Sequence, residues 1–255
     1  MAVAVRSAWT PVHRWRIHSR HAGAPRPGVS PIVLVHGLAV SSLYMVPTAR
    51  VLGERFEVHA PDLPGFGRST KPRRHILSIP ELADALAAWL EARGVRLPVL
   101  VANSMGCQIV VEYLLRHGMD APAIVLIGPT LDRADRSMRG QLIRLMRDSI
   151  RETPSQVLVV AWDYLRFGPR RLLRTFRAAQ AHHLEQKIPH VTVPTLIVRG
   201  GRDPIAPQRW CEELAALAPR GRLVVVPGAA HTVNYMAPRQ LARVTAEFMR
   251  EIGAS

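Results

Sequence analysis

Cysteine and aromatic residues are scarce in this 255-residue chain. The two cysteines, Cys107 and Cys211, cannot form a disulfide framework or a four-ligand zinc site, and neither belongs to a Cys-x-x-Cys pair. We interpret both as small buried apolar residues. Aromatic residues make up 5% of the chain, which leaves few stacking platforms for single-stranded nucleic acid.

Long apolar runs are also missing. No run approaches the roughly 18 residues that a membrane-spanning helix needs. Residues 1–20 carry Arg and His but no continuous apolar region and no small-residue cleavage site, which disfavours a secretory signal peptide. We therefore expect a cytoplasmic protein.

Negatively charged residues are few: the chain has 19 acidic and 34 basic residues, which gives a formal net charge of +15. The positive electrostatic field of such a charge could attract nucleic acid or an anionic membrane surface. However, Lys71 and Lys187 are the only lysines, the arginines are spread over the whole chain, and no nucleic-acid-binding module is visible. We predict a small-molecule substrate, and we do not expect nucleic acid to be the main partner. The sequence does not indicate whether the protein is a monomer or an oligomer.

What is abundant is aliphatic sequence, since 48% of the residues are hydrophobic, enough for a sizeable core. Short aliphatic runs alternate with amphipathic segments. This pattern predicts an α/β fold in which a mostly parallel sheet carries helices on both faces. The predicted parallel strands are residues 32–35, 56–58, 99–101, 124–127, 195–198 and 223–226, with an antiparallel edge strand near Val12 to His18.

The stretch between Pro129 and Pro194 breaks this alternation, because it shows three helical patterns and no convincing strand. An insertion at this place predicts a helical cap over the carboxyl ends of the strands, where open α/β folds bind ligands. The chain then divides into a core (1–129), a cap (130–190) and a second part of the core (191–255). The cap is rich in arginine, and we expect most of these side chains to be solvated and one or two to face an anionic substrate.

The strongest chemical signal is the string Ala102-Asn103-Ser104-Met105-Gly106, between an apolar strand and an amphipathic helix. A serine at such a turn is held in a strained conformation that exposes its hydroxyl, and small residues two positions before and after it let strand and helix approach. Ala102 stands where the usual pattern has glycine, a difference of one methyl group.

An acidic residue and a histidine follow at the ends of later strands. Asp203 lies in Gly200-Gly201-Arg202-Asp203-Pro204, and His231 follows the last predicted strand. A serine hydroxyl needs a base to take its proton, and the base works best when a carboxylate orients it. Asp132 and Asp135 are alternative positions for that carboxylate, although the glycine-rich approach to Asp203 favours it.

These motifs resemble those of the α/β-hydrolase superfamily over nearly the whole chain. The resemblance implies Ser104 as nucleophile, His231 as general base and then acid, and Asp203 as the group that fixes the imidazole. It also implies that the loop His36-Gly37-Leu38-Ala39 is the oxyanion loop, with the backbone amides of Leu38 and Met105 as donors.

Among members of the superfamily, the sequence is most similar to small-molecule carboxylesterases and to carbon-carbon bond hydrolases of ring-cleavage products. We favour an esterase, and therefore an ester as the small-molecule substrate, since the loop at His36 lacks the glycine-rich continuation of the second group. A non-catalytic or anion-binding protein is a further alternative. We expect no metal and no organic cofactor, and we interpret His182-His183 as polar surface. With an unperturbed His231, kcat/KM would rise with pH near ~6.5.

Overall fold

The computed structural model describes residues 3–72 and 75–255. Its strands are β1 (Arg6–Val12), β2 (Trp15–Ala22), β3 (Ile32–Val35), β4 (Val58–Pro61), β5 (Val99–Asn103), β6 (Ile124–Ile127), β7 (Thr195–Gly200) and β8 (Gly221–Val226). Its helices are α1 (Val46–Leu52), α2 (Ile79–Arg93), α3 (Met105–His117), α4 (Met138–Ser149), α5 (Pro154–Phe167), α6 (Pro169–Gln180), α7 (Leu184–Lys187), α8 (Gln208–Leu217), α9 (Val233–Met236) and α10 (Pro238–Glu251).

The eight strands form one sheet in the order β1-β2-β4-β3-β5-β6-β7-β8. Strands β3 to β8 are parallel to one another, whereas β1 and β2 are antiparallel at one edge. The prediction of an α/β fold with a mostly parallel sheet is therefore confirmed. The predicted edge strand near Val12 to His18 is wrong in its bounds, because this stretch contains the turn between two strands, where His13 has a φ of 47°.

Alternate residues of the central strands face two separate cores. Val33 and Val35 of β3 belong to the core on one face of the sheet, with α2, α3 and α8, and Ile32 and Leu34 belong to the core on the other face, with α1 and α10. Every residue of β3 is buried, as expected for a strand covered by helices on both sides. This rigid sheet fixes the positions of the loops at its carboxyl edge.

Local sequence signals account for both ends of α2. Ser78 and Glu81 form a reciprocal capping box at the start of α2, and Gly94 ends that helix in the left-handed conformation with a φ of 66°. None of the helices in the described parts of the chain is long and apolar enough to cross a membrane.

A turn after β4 ties the loops at the carboxyl edge together. The buried Asp62 carboxylate accepts hydrogen bonds from the Ser42 N–H (2.6 Å), the Arg68 N–H (2.9 Å) and His18 Nδ1 (2.9 Å). A Cβ at Gly67, whose φ is 48°, would lie 2.3 Å from this carboxylate, so the turn requires glycine there. These bonds keep the pKa of Asp62 below its ordinary value despite burial, which alone would raise it.

Candidate active site

Ser104 lies in the turn between β5 and α3, where Asn103 ends the strand and Met105 begins the helix. Its φ of 60° and ψ of −125° are rare for a residue with a side chain. A Cβ at Gly106 would lie 2.6 Å from the Val35 carbonyl oxygen, so glycine is needed for helix and strand to approach. The sequence therefore folds into a strained turn that presents the serine at the carboxyl edge of the sheet.

Hydrogen bonds from Tyr44 and Asn103 hold the backbone around this turn. The Tyr44 hydroxyl donates to Asn103 Oδ1 (2.9 Å) and accepts from the Gly37 N–H (2.8 Å). The Asn103 amide donates to the carbonyls of Ile127 (3.1 Å) and His231 (3.3 Å). Burial raises the pKa of Tyr44 well above its ordinary value, which keeps the hydroxyl protonated as a donor. Sequence reasoning did not find Tyr44, whose position carries no local signal.

The loop after β3 approaches Ser104 closely. A Cβ on Gly37 would lie 3.0 Å from Ser104 Cβ. Leu38 and Met105 line the same cavity as Ser104. Within the described residues, the backbone N–H groups of Leu38 and Met105 donate no hydrogen bond to another part of the protein.

His36 stabilises this loop from inside the protein. Its Nε2 accepts a hydrogen bond from the Leu63 N–H (3.1 Å), so its Nδ1 carries the proton and donates to the Gly37 carbonyl (2.9 Å). Complete burial lowers the pKa of His36, which keeps the ring neutral and this tautomer in place.

His231 and Asp203 are hydrogen-bonded to each other, with His231 Nδ1 2.8 Å from Asp203 Oδ2. The second carboxylate oxygen, Oδ1, accepts from the N–H groups of Ile205 (2.7 Å) and Ala206 (3.0 Å). Gly128, the residue after β6, leaves room for the pair, because a Cβ there would lie 2.9 Å from the imidazole and 3.0 Å from Asp203 Oδ2. The carboxylate is therefore fixed from one side while it binds the imidazole on the other.

Two further carboxylates from the helical region reach the His231 segment. Asp148 Oδ1 accepts from the His231 N–H (3.1 Å), and Glu152 accepts from the Thr232 N–H (3.2 Å) and hydroxyl (2.9 Å). Sequence reasoning missed both residues. The available signal was compositional, because residues 138–177 contain nine arginines and, as acidic residues, only Asp148, Glu152 and Asp163.

These carboxylates raise the pKa of His231. Burial by itself lowers that pKa, but the charge and hydrogen bond of Asp203, followed by the charges of Asp148 and Glu152, outweigh burial and raise it to about 9. Burial, reinforced by the charges of Glu152 and Asp203 and opposed by His231, raises the pKa of Asp148 to about 7. The expectation of an unperturbed imidazole near ~6.5 is therefore wrong.

The two alternative acidic positions have other partners. Asp132 pairs with Arg209 and lies 3.6 Å from an Arg144 guanidinium nitrogen. The Asp135 carboxylate accepts from the Ser137 hydroxyl (2.7 Å). The structure thus brings Ser104, Asp203 and His231 to one place and leaves Asp132 and Asp135 in a neighbouring ion-pair network.

A cavity of about 590 Å³ has both Ser104 and His231 in its wall. This volume is in the range of small-molecule sites. Most of the other lining residues are apolar, and most come from α4, α5 and α6, among them Leu145, Val160, Leu172 and Phe176. Among the described residues that line the cavity there is no Arg or Lys, whereas Asp148 and Glu152 are present. The expectation that an arginine faces an anionic substrate is therefore wrong for this cavity.

The described residues contain no group of three or more His, Cys, Asp or Glu side chains that could hold a metal ion. His182, expected at the surface, is buried and lies with Nε2 3.2 Å from Glu112 Oε2, which also binds Lys187 Nζ at 2.8 Å. Burial lowers the pKa of His182 to about 4, so the ring stays neutral near pH 7. Its neighbour His183 is exposed, as expected.

Known proteins resemble this chain along most of its length. The sequence model described as "Alpha/beta hydrolase family" matches residues 32–244. The chain is 25% identical over 242 residues to the esterase YbfF of Escherichia coli (strain K12), which covers 87% of this chain and 94% of that protein. It is 27% identical over 226 residues to the pimeloyl-[acyl-carrier protein] methyl ester esterase of Vibrio cholerae, covering 78% of this chain and 86% of that protein.

Solved structures show the same fold. A thermophilic esterase from Thermogutta terrifontis aligns with a TM-score of 0.81 over 97% of this chain and 99% of that chain, at 20% sequence identity.

Proposed function

Because the chain belongs to the alpha/beta hydrolase family, we propose that it is a serine hydrolase that cleaves an uncharged small-molecule carboxylic ester. This proposal rests on one observation: Ser104 lines the same apolar cavity as His231, and His231 is hydrogen-bonded to Asp203. The similar proteins named esterase and methyl ester esterase support an ester as the bond that is cleaved.

In the first half of the reaction, Ser104 Oγ attacks the ester carbonyl carbon while His231 Nε2 takes the hydroxyl proton. Asp203 holds the proton on Nδ1, which leaves Nε2 as the basic nitrogen, and its charge stabilises the imidazolium that forms. The imidazolium then gives its proton to the leaving alkoxide. The products of this half are the free alcohol and an acyl group bound to Ser104.

The backbone amides of Leu38 and Met105 stabilise the negative charge that develops on the carbonyl oxygen. Donors that are fixed before the reaction contribute about 3 kcal/mol each to such a transition state. The strained backbone of Ser104 and the hydrogen bond from the Gly37 N–H to the Tyr44 hydroxyl hold these amides in place.

In the second half, His231 takes a proton from a water molecule, and the resulting hydroxide oxygen attacks the acyl carbon. Ser104 Oγ leaves and takes the proton back from His231, which restores the enzyme and releases the carboxylic acid. Every proton in this cycle is carried by side chains of the chain itself or by water, so the scheme needs no metal or organic cofactor.

The lining of the cavity indicates the substrate class. Apolar side chains from α4, α5 and α6 suit an aliphatic or aromatic acyl group, and the carboxylates of Asp148 and Glu152 disfavour an anionic substrate. In this proposal residues 130–190 act as a cap that shapes the pocket, and residues 1–129 and 191–255 form the catalytic core.

The test compares the hydrolysis of p-nitrophenyl esters of increasing acyl length by wild type and by Ser104→Ala. We expect kcat/KM of Ser104→Ala to be at least about 10³-fold lower than that of wild type. The matched control is Ser155→Ala, an exposed serine at the start of α5, which should retain the wild-type rate. A fluorophosphonate should label the Ser104 peptide in wild type. Equal rates for wild type and Ser104→Ala would overturn the proposal, and turnover of ring-cleavage dienones but not of esters would favour carbon-carbon bond hydrolysis.

A further inference from the structure

The outward surface of α4 and α5 is apolar. In and just after α4, Leu142, Met146 and Ile150 recur every four residues and are 55%, 62% and 83% exposed. In α5, Leu158, Trp162 and Leu165 are 72%, 55% and 80% exposed. Of the fifteen exposed large apolar side chains in the described residues, eleven lie between positions 138 and 173. A concentration of this kind marks an interaction surface rather than scattered exposure.

The stretch that contains these side chains has an excess of positive charge. Residues 138–177 carry nine arginines, four of them in α6, and three carboxylates, and Arg144 of α4 pairs with Asp132 and Asp135. All three carboxylates bind groups outside this stretch: Asp148 the His231 N–H, Glu152 Thr232, and Asp163 the N–H and hydroxyl of Ser41 (2.8 and 2.6 Å). On α4 and α5 the exposed arginines are Arg139, Arg147 and Arg166, so these two helices present both apolar and cationic side chains to solvent.

This face continues into the cavity that contains Ser104. Leu142 and Met146 are more than half exposed and also line the cavity, and Met138, at the start of α4, does the same with 43% exposure. Trp162 lies beside Arg166, whose guanidinium carbon is 5.5 Å from the ring centroid. A molecule that covers the face would therefore lie beside the opening of the cavity.

We propose that the α4–α5 face docks on an anionic lipid surface. Leu158, Trp162 and Leu165 would lie at the boundary between headgroups and acyl chains, and the arginines would pair with lipid phosphates, as in amphipathic helices that lie in a membrane interface. A second copy of the chain is a poorer occupant, because two arginine-rich faces without free carboxylates repel each other. Nucleic acid would satisfy the arginines and leave the apolar stripes in water.

The experiment measures co-sedimentation with vesicles of phosphatidylcholine alone and of phosphatidylcholine mixed with phosphatidylglycerol. We expect wild type to partition to the anionic vesicles at least about tenfold more strongly, and salt to weaken this binding. The double variant Leu158→Glu/Leu165→Glu should bind the anionic vesicles at least about tenfold more weakly than wild type. Leu97→Glu is the matched control, because Leu97 is 57% exposed outside this face, and it should bind like wild type.

Two readouts separate docking from folding and from catalysis. Leu158 and Leu165 are not in the wall of the cavity, so the double variant should hydrolyse a soluble short-chain ester at the wild-type rate. Anionic vesicles should also shift the tryptophan emission of wild type to shorter wavelength, and Trp162→Phe should reduce this shift. Vesicle binding does not depend on hydrolysis, so it can be confirmed even if Ser104 is not the nucleophile.

Three results would overturn the proposal. The first is no binding of wild type to anionic vesicles. The second is equal binding by wild type and the double variant. The third is a wild-type dimer in light scattering that Leu158→Glu/Leu165→Glu converts to monomer, which would assign the face to a second copy.

Discussion

The central strands bury their apolar residues, whereas many apolar residues of the helices α4 to α6 are exposed or line the cavity. In β6 all four residues, Ile124 to Ile127, are buried aliphatics. In α4 the buried residues are Gln141 and Asp148, whereas Leu142 and Met146 are exposed. The strands bury apolar area and stabilise the fold, and the helices keep apolar area for the cavity and the surface. The difference shows that an apolar periodicity predicts a helix without saying what its apolar face contacts.

Two acidic residues of the helical region form hydrogen bonds to the core. Asp148 and Asp163 are buried, and both accept hydrogen bonds from loops at the carboxyl edge of the sheet, at His231 and Ser41. These bonds attach the helices to the core beside the candidate catalytic residues. The helical region is therefore held to the core by these polar contacts together with apolar ones, such as Phe167 against Phe66 with 4.8 Å between ring centroids, whereas the sheet is held by continuous apolar packing.

The largest effect on activity is expected from removing the charge of Asp203, which belongs to the core and binds His231. Asp203→Asn should lower kcat by roughly 10³–10⁴-fold, because an amide does not stabilise the imidazolium and lets the ring take the wrong tautomer. Its Oδ1 can still accept from the Ile205 N–H, so the loop is retained. Steady-state kinetics with an ester substrate measure the effect. Asp132→Asn is the matched control, and a comparable loss in that variant would mean that the acid lies at Asp132.

The contrast in packing predicts a smaller effect on stability. Leu126→Ala in β6 should lower the free energy of unfolding by about 2–5 kcal/mol, since the side chain is fully buried and its removal leaves a cavity. The matched change Leu158→Ala in α5 should alter it by less than about 0.5 kcal/mol, because that side chain is 72% exposed. Urea unfolding measures both values, and equal losses would show that α5 is packed more tightly than the structure indicates.

The smallest effect is a pH shift that connects the two regions. The pKa of His231 is raised to about 9, and Asp148 is one of the causes. The activity kcat/KM should therefore rise with pH towards that value as the imidazole loses its proton. Asp148→Asn keeps an acceptor for the His231 N–H and removes the negative charge, so the imidazolium is less stable and the midpoint should move to lower pH.

The control for this shift is Asp120→Asn, an exposed aspartate in the loop after α3, which should leave the midpoint in place. The pH profiles of kcat/KM for wild type and both variants give the comparison. An unchanged midpoint in Asp148→Asn would show that the charge of Asp148 does not contribute to the pKa of His231.

Several features could be predicted because their signals are local. The aliphatic runs that form β3 and β6 need only their own residues to be recognised, and so do the capping box at Ser78 and the glycine that ends α2. The edge hairpin was predicted poorly, because Val12 to His18 reads as one strand until the turn at His13 is known. The turn conformation required at Ser104 could also be inferred, since Gly106 and the flanking strand and helix lie next to it in the sequence.

The amino-acid sequence by itself determined the order of the parallel strands and of the helices α2 to α6 and α10, and it placed Ser104, Asp203 and His231 after parallel strands, because periodicity and glycine turns act over a few neighbouring residues. Only the tertiary structure decided which groups surround the imidazole and which way α4 and α5 turn their apolar stripes. Asp148 lies 83 positions before His231 in the chain, and no local pattern encodes a contact between residues so far apart. Charge and burial at the site depend on such contacts, so the pKa of His231 and the lining of the cavity followed from the packing alone.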